Sequence, residues 1–392
     1  MLSRLHGLRR YFFFAALIVI TFFSGIQLRD AYSSLGPAAT STTACIRTTP
    51  DSVTLKSGDR TLPPGNILLY SASGTCQNGD TALNLQGPQG PSGASGIYGD
   101  GSAGDLNVSG PLDLSNFINL QFASISVASG AVLTVPSGAV LRATGSVIIS
   151  GTVQVATGAS STVNGDPHPG ISRAAAGLTS GGFGLSNFQA AQISHPQFGG
   201  GAGKRGQNNP GIFSGEGEGG GSLTILAQGS FTLSSGGVIR ANGNNGGTAS
   251  SGSSAVGGGG GGAGGIVNIA AKSSITLAGG ITANGGNGGD GFNATQPTVT
   301  AEGGGGGGGG VIHFYAPTIV TTGASLQAVG GAAGNTAIGN IGGSTVLGGG
   351  GGAAGGNGGN AGTGSVATAP QNGFAGYANL QTITSTPETF FL

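Results

Sequence analysis

The sequence predicts an all-β chain, a parallel β-solenoid with long glycine-rich loops, preceded by an apolar N-terminal helix and a small disulfide-containing module. Three observations carry this expectation. Glycine fills 87 of 392 positions and only 7% of residues are charged, against about a quarter in ordinary globular domains. Val, Ile and Leu nevertheless recur in short β-type runs that can bury apolar surface, so the chain reads as ordered and loop-heavy. Those runs step evenly through one region and repeat at long intervals through the next, as stacked coils do.

At the N-terminus, Arg4, Arg9 and Arg10 precede "YFFFAALIVITFFSGIQL", residues 11–28. As a helix this uncharged segment would extend roughly 27 Å at about 1.5 Å per residue. It reads as a signal anchor, or as a signal peptide cleaved near Ala31-Tyr32-Ser33, with a buried core helix as the plain alternative. Either of the first two keeps the arginines inside and exports the chain beyond Arg29, giving a protein anchored in the membrane at the cell surface or secreted. A formal net charge of zero, no Trp and little basic clustering leave no electrostatic footprint for nucleic acid.

Residues 34–85 read as a two-cysteine module. Cys45 and Cys76 flank the strand-like "NILLYSAS" at 66–73, and in an oxidising compartment they are expected to pair with each other. Free thiols or intermolecular bridges are the alternatives, and two cysteines are too few for a structural zinc site. Then "GPQGPSGASG" keeps Gly87, Gly90, Gly93 and Gly96 at a period of three around Pro88 and Pro91, which is collagen grammar. The layout over about residues 42–96 resembles bacterial exported proteins in which a two-cysteine module leads into collagen-like triplets. That resemblance implies surface or spore-coat filaments. The triplets here are too few for a lone triple helix, so 86–100 reads as an extended linker, with local trimerisation as the other reading.

Over 101–165, pieces such as "AVLTVPSG", "AVLRATG" and "TVQVATG" alternate apolar and polar residues and close on Gly138, Gly145 and Gly158. They are too short for helices, and the even steps suggest coils in which each strand stacks on the one about twenty residues earlier. An antiparallel sandwich is the competing reading. An irregular Gly/Pro-rich excursion fills 166–218. Glycine-rich repeats of about 44 residues occupy 219–365, starting at 222, 266 and 311, and 366–392 forms a C-terminal cap or tail. Each repeat joins about twenty strand-forming residues to a glycine-rich excursion, including unbroken glycine runs at 257–262, 303–310 and 348–352. The texture of 97–365 resembles glycine-rich extracellular repeat proteins of bacteria. If the units stack, Leu223, Ile225, Phe231 and Leu233 should share one core with Val267, Ile269, Ile275 and Leu277.

Candidate sites are few. "GGNGGDGFN" at 285–293 matches the calcium-binding nonapeptide pattern G-G-x-G-x-D-x-U-x, with Asp290 as the candidate metal ligand. Such sites need tandem copies with an aspartate in each, whereas the equivalent turns "ANGNNGGTA" and "AVGGAAGNT" carry none. The alternative for Asp290 is a turn residue in a solvated loop. "GGGAGKR" departs from a phosphate loop in having Phe198 for the first glycine and Arg205 for the Ser/Thr. Asp166 and His168 in "NGDPHPG", with Glu216, are the nearest catalytic candidates, and His195, Lys204, Arg205 and Glu218 lie in the same stretch. A surface excursion with turns set by Pro167 and Pro169 is the plain reading of it. Asp105 and Asp113 are too scattered to pair with these as glycosidase carboxylates would. For His313 a satisfied or solvent-facing side chain is expected over a metal ligand. No cofactor is expected.

Two functional classes remain. One is a non-enzymatic cell-surface or secreted structural or adhesive protein that contacts a surface glycan or further copies of itself. The other is a carbohydrate-active β-solenoid enzyme on envelope polysaccharide. A third, a receptor-binding adhesin resembling the polyglycine-layered adhesins of phage tail fibres, fits less well with an N-terminal export segment.

Overall fold

The computed structural model describes residues 43–47, 67–69, 80–84, 96–161, 166–207, 214–248, 255–293, 298–339, 344–363 and 369–391. The apolar segment 11–28, the cleavage site at 31–33, Cys76 and the triplets from Gly87 to Gly93 lie outside them, and so do the expectations resting on those residues. Among the described residues no helix is long and apolar enough to cross a membrane. The chain divides into two compact units, Met1–Gly90 and Pro91–Leu392. In the first, β1 (Thr43–Arg47), β2 (Ile67–Leu69) and β3 (Asp80–Asn84) form an antiparallel sheet in the order β2-β1-β3. Cys45 lies in β1 between Leu68 and Ala82 of its neighbours.

The second unit winds through six coils. The first holds β4 (Leu106–Val108), β5 (Leu112–Asp113) and β6 (Gln121–Phe122), and the second β7 (Ile125–Val127), β8 (Val132–Val135) and β9 (Ala139–Ala143). From the third coil on, an excursion separates the second strand from the last: β10 (Val147–Ile149) and β11 (Thr152–Val155) precede β12 (Ser222–Ala227), and β13 (Phe231–Leu233) and β14 (Val238–Arg240) precede β15 (Ile266–Ala271). The fifth coil has β16 (Ile275–Leu277), β17 (Gly280–Thr282), the excursion strand β18 (Thr300–Ala301) and β19 (Val311–Ala316). The sixth has β20 (Ile319–Thr321), β21 (Ser325–Gln327), the excursion strand β22 (Thr345–Val346) and β23 (Tyr377–Ile383).

Corresponding strands stack into three six-stranded sheets, β4-β7-β10-β13-β16-β20, β5-β8-β11-β14-β17-β21 and β6-β9-β12-β15-β19-β23. Every pairing in them is parallel, so the architecture is β-solenoid-like and differs from an antiparallel sandwich. Ser222 pairs with Ile266 and Ile266 with Val311, so the long sequence repeat is the register of the ladder. One face of each sheet points into a shared core, and Leu223, Ile225, Phe231, Leu233, Val267, Ile269, Ile275 and Leu277 all lie in it.

The third sheet is buried on both faces along β12, β15 and β19, which is why "SLTILA", "IVNIAA" and "VIHFYA" read as nearly unbroken apolar runs. Its outer face is covered in two places. A short helix, α1 (Asn187–Ala191), starts at Ser186 with a capping box to Gln189, and sets Ala190 with Leu185, Ile193 and Tyr377 over Ile266 and Val311. Farther along, Ile97, Tyr98 and Phe391 pack on Leu226, Ala270 and Tyr315.

The glycine-rich stretches, read from sequence as long loops, are held by backbone hydrogen bonds to their neighbours. They run outward from the coils and back as straight segments packed side by side. Residues 257–265 show the rule. The N–H groups of Gly258, Gly261 and Gly264 donate to Glu302, Gly305 and Gly308 on one neighbour. Those of Gly259, Gly262 and Gly265 donate to Gly247, Asn244 and Ala241 on a second, and those of Gly257, Gly260 and Ala263 to Gln207, Lys204 and Gly201 on a third. The same segment accepts from Gly217 and Gly220, from Gly286 and Gly289, and from Gly349 and Gly352. Donors that turn to a new neighbour at each residue and return every third are the mark of threefold, polyproline II-type backbone without internal hydrogen bonds. Because the backbone groups are satisfied between segments, such a bundle can be buried without an apolar core.

Glycine is required here for closeness of approach. A Cβ on Gly258, Gly261 or Gly264 would come closer than 3.0 Å to a backbone carbonyl of Gly289, Gly286 or Ala283. Residues 303–310, surrounded in the same manner, meet the same restriction. The unbroken glycine runs are therefore the enclosed segments of the bundle, and segments with other residues at every third place lie at its rim.

Candidate binding surface

Three rim segments, 241–248, 283–292 and 328–337, run parallel and adjacent, as the bonds from Gly243 to Asn284, Gly246 to Asn287, Gly285 to Val329 and Gly288 to Ala332 show. In each, every third residue faces away from the bundle: Asn242, Asn245 and Thr248, then Asn284, Asn287 and Asp290, then Val329, Ala332 and Asn335. The backbone N–H of an outward residue has no segment beyond it, and the side chain of the preceding rim segment takes that place. Asn242 Oδ1 accepts from Asn284 N and Asn245 Oδ1 from Asn287 N, both at 2.8 Å. Thr248 Oγ1 accepts from Asp290 N, also at 2.8 Å. One row farther, Asn284, Asn287 and Asp290 accept from the N–H of Val329, Ala332 and Asn335. The result is an amide ladder whose rungs repeat about every 9 Å, three residues at about 3.1 Å each. Asn245, Thr248, Asn287, Ala332 and Asn335 are exposed on it, and Asp290 is the one ionisable group among these nine.

Asp290 is therefore a rung of the ladder and not a turn residue in a solvated loop. Its Oδ1 accepts from Asn335 N at 2.6 Å and from Asn335 Nδ2 at 3.1 Å. The match of "GGNGGDGFN" to a nonapeptide is a match to Gly-Gly-Xaa triplets of period three. Among the described residues there is no group of three or more His, Cys, Asp or Glu side chains that could hold a metal ion. Asp290→Ala should cost about 1 kcal/mol by freeing the Asn335 N–H, while Asp290→Asn should cost almost nothing, since asparagine does the same work at 284 and 287. Thermal melts of the two variants, each with and without calcium, check this, with calcium expected to shift neither.

Each catalytic candidate is engaged by a partner of its own. Asp166 pairs with Lys204 at 3.0 Å on the surface. His168 accepts from Gly170 N through Nδ1 at 3.0 Å and rests on the Phe198 ring, centroids 4.8 Å apart. Glu216 takes the Arg205 guanidinium in a two-point fork at 2.5 and 3.3 Å. Burial pushes the Glu216 carboxyl up, but the Arg205 fork and hydrogen bonds from the backbone and from Ser161 together outweigh it and hold the group below its ordinary value. Each carboxylate is thus committed to its own cation. Glu218 accepts from Thr157 and Asn244, and His195 contacts Ser194 and the edge of Phe391. In "GGGAGKR" the N–H groups of Gly200, Gly201, Ala202, Gly203 and Lys204 donate to carbonyls of Gly220, Ala353, His168, Gly217 and Gly350, so they do not cradle a phosphate.

His313 is neither solvent-facing nor fully satisfied. It is 1% exposed on the outer face of β19, stacked on Tyr315 with centroids 4.0 Å apart, and its Nε2 meets Thr382 Oγ1 at 2.9 Å. Its register neighbour Asn268 donates to the carbonyls of Ile193 and Ser194, and His313 Nδ1 and Asn268 Oδ1 are buried without a hydrogen-bond partner in the structure. Burial pushes the imidazole down to about 4 from the ordinary 6.5. The unfolded chain takes up this proton below about pH 6.5 and the folded chain only below about 4, so the stabilisation is complete above 6.5 and lost as pH falls through that window. Roughly 3 kcal/mol is expected to go. Melts of wild type and His313→Gln between pH 7 and 4 check it, with the histidine-dependent part of the decline absent from the variant.

Comparison of the chain with family models, with curated proteins and with solved structures finds no match.

Proposed function

We propose that the protein is a non-enzymatic exported surface protein, a parallel β-solenoid whose glycine bundle presents the amide ladder to an uncharged surface glycan. The observation that carries this reading is the ladder itself. It is an ordered array of amide and hydroxyl side chains, nearly free of charge, on a scaffold whose backbone bonds hold each rung in register. Amide donors at fixed spacing suit a polymer of repeated hydroxyl or acetamido groups, and pre-ordered rungs lower the entropy cost of binding it. In this reading residues 11–28 anchor the chain in the membrane or direct its secretion, and Cys45 bonds Cys76 in the exported module.

The carboxylates support binding over bond cleavage, since hydrolysis of a glycoside calls for a carboxyl pair flanking one bond. The test is a glycan-binding screen with the exported protein, alongside a polysaccharide-release assay. Asn245→Ala with Asn287→Ala should lower glycan binding by about tenfold or more. The variant Asp166→Asn, His168→Gln, Glu216→Gln should bind as wild type does. Oligosaccharides released by wild type and not by that triple variant would place the protein among carbohydrate-active enzymes instead.

A further inference from the structure

Among the described residues, none caps the end of the stack at the sixth coil. β20, β21 and β23 are each the last strand of their sheet, and the chain after β23 turns into a 3-10 helix at Pro387–Phe390, beyond which Phe391 packs on Tyr98 and Tyr315 at the side of the third sheet. Ladder bonds use the alternate residues: Ile275 N donates to Thr318 O and Thr322 N to Leu277 O, while Ser325 N donates to Gly279 O and Ala283 N to Gln327 O. The alternation of a parallel ladder turns the N–H and C=O of Ile319, Thr321 and Leu326 along the axis, away from the coil beneath. The core is open at this end as well. Ile275 and Ile281 are fully buried one coil below, whereas Ile319 and Leu326 above them are half-buried and Ile383 is 62% exposed.

Sheet edges of soluble proteins are protected by charge, proline or a covering segment. The two ends of this stack differ in that respect. At the first coil, Asp105 precedes β4 and Asp113 is the last residue of β5, and residues 103 and 104 run beside β6, with Ala103 N donating to Gln121 O and Ala123 N to Gly104 O. At the last coil there is no charge to serve, because the sequence from Gly303 to Pro387 contains no Asp, Glu, Lys or Arg.

We infer that the last coil is a self-association surface on which a second copy of this chain stacks, C-terminal end to C-terminal end, about a two-fold axis. Such an axis is self-complementary. It sets β20 of one copy antiparallel to β21 of the other, both of three residues, and sets the seven-residue β23 against itself. Head-to-tail growth does not fit, because the first coil offers a covered, acidic edge. The stacked pair joins the open cores and places two amide ladders on one rod.

The test is sedimentation equilibrium of the full-length chain, with Val320→Lys/Gln327→Lys and, separately, Gln381→Lys as variants. Wild type should be a dimer at micromolar concentration. Each variant should weaken the dimer by about a hundredfold or more through like charges facing across the axis, with thermal melts reporting that the coil remains folded. Hydrogen exchange of the Ile319, Thr321 and Leu326 amides gives a second readout, at least about tenfold slower in wild type than in the variants. A wild-type monomer, a trimer set by the Gly87–Gly96 triplets, or a dimer that survives both variants with unchanged exchange would overturn the inference.

Discussion

Ile269→Asp is expected to unfold the second unit. Ile269 lies at the centre of β15, fully buried in the core shared by all three sheets, with Ile225 below it and Phe314 above it in register. A carboxylate there has no cation within the core to meet, and an unpaired buried charge costs several kcal/mol. That is comparable with the whole stability of many domains, about 5–15 kcal/mol. Coils of a solenoid lean on their neighbours, so the loss should spread along the stack and not remain in one turn. Circular dichroism melts check it. A variant that melts within a few degrees of wild type would mean that β15 does not share the core described.

Gly261→Ala should be almost as damaging, although it adds one methyl group. Gly261 belongs to the enclosed 257–265 segment, and a Cβ there would come closer than 3.0 Å to the carbonyl oxygens of Gly286 and Asn287. Backbone atoms cannot rotate aside as a side chain can, so the segment must move and loosen its bonds to Gly305 and Gly352. About 3 kcal/mol or more is expected, at the upper end of overpacking costs. Gly215→Ala is the control. A Cβ on Gly215 meets nothing within 4 Å and the residue does not have positive φ, so alanine there should be neutral or stabilising by up to about 1 kcal/mol. Equal effects at the two positions would argue against an enclosed glycine bundle.

The β-solenoid-like part was legible because its core is made of side chains. Leu223, Ile225, Val267 and Ile269 leave a period of two in the sequence, and the distance from Ser222 to Ile266 to Val311 is itself the register of a parallel ladder. The glycine bundle was not, because its packing is done by backbone, and a residue without a side chain leaves no apolar pattern. Its signal lay elsewhere, in the three-residue spacing of Asn284, Asn287 and Asp290 between paired glycines and in the unbroken runs at the enclosed positions. Of the candidate site residues, Asp166, Glu216 and Asp290 were visible as ionisable groups, but the partners that neutralise or employ them are Lys204, Arg205 and Asn335, and for Asp290 the partner is 45 residues away in the chain. α1 is a single turn and more, set by its Ser186 cap and by the outer face of β15, and short helices of that kind carry little periodicity to detect.

The three-residue repeat of the bundle restricts how this chain can change its length. One residue lost from 257–265 would turn every later side chain and donor by about 120°, presenting Ala263 and the segment's carbonyls to the wrong neighbours. Three residues lost would restore every direction and shorten the segment by one rung. In the coils the same event acts differently, since one residue flips a strand face for face and two residues restore it. Descendants of this sequence should therefore gain and lose length by triplets in the outward segments, provided the returning segment of the same excursion changes with them. They should gain whole turns only by copying a coil together with its excursion, some 44 or 45 residues at a time.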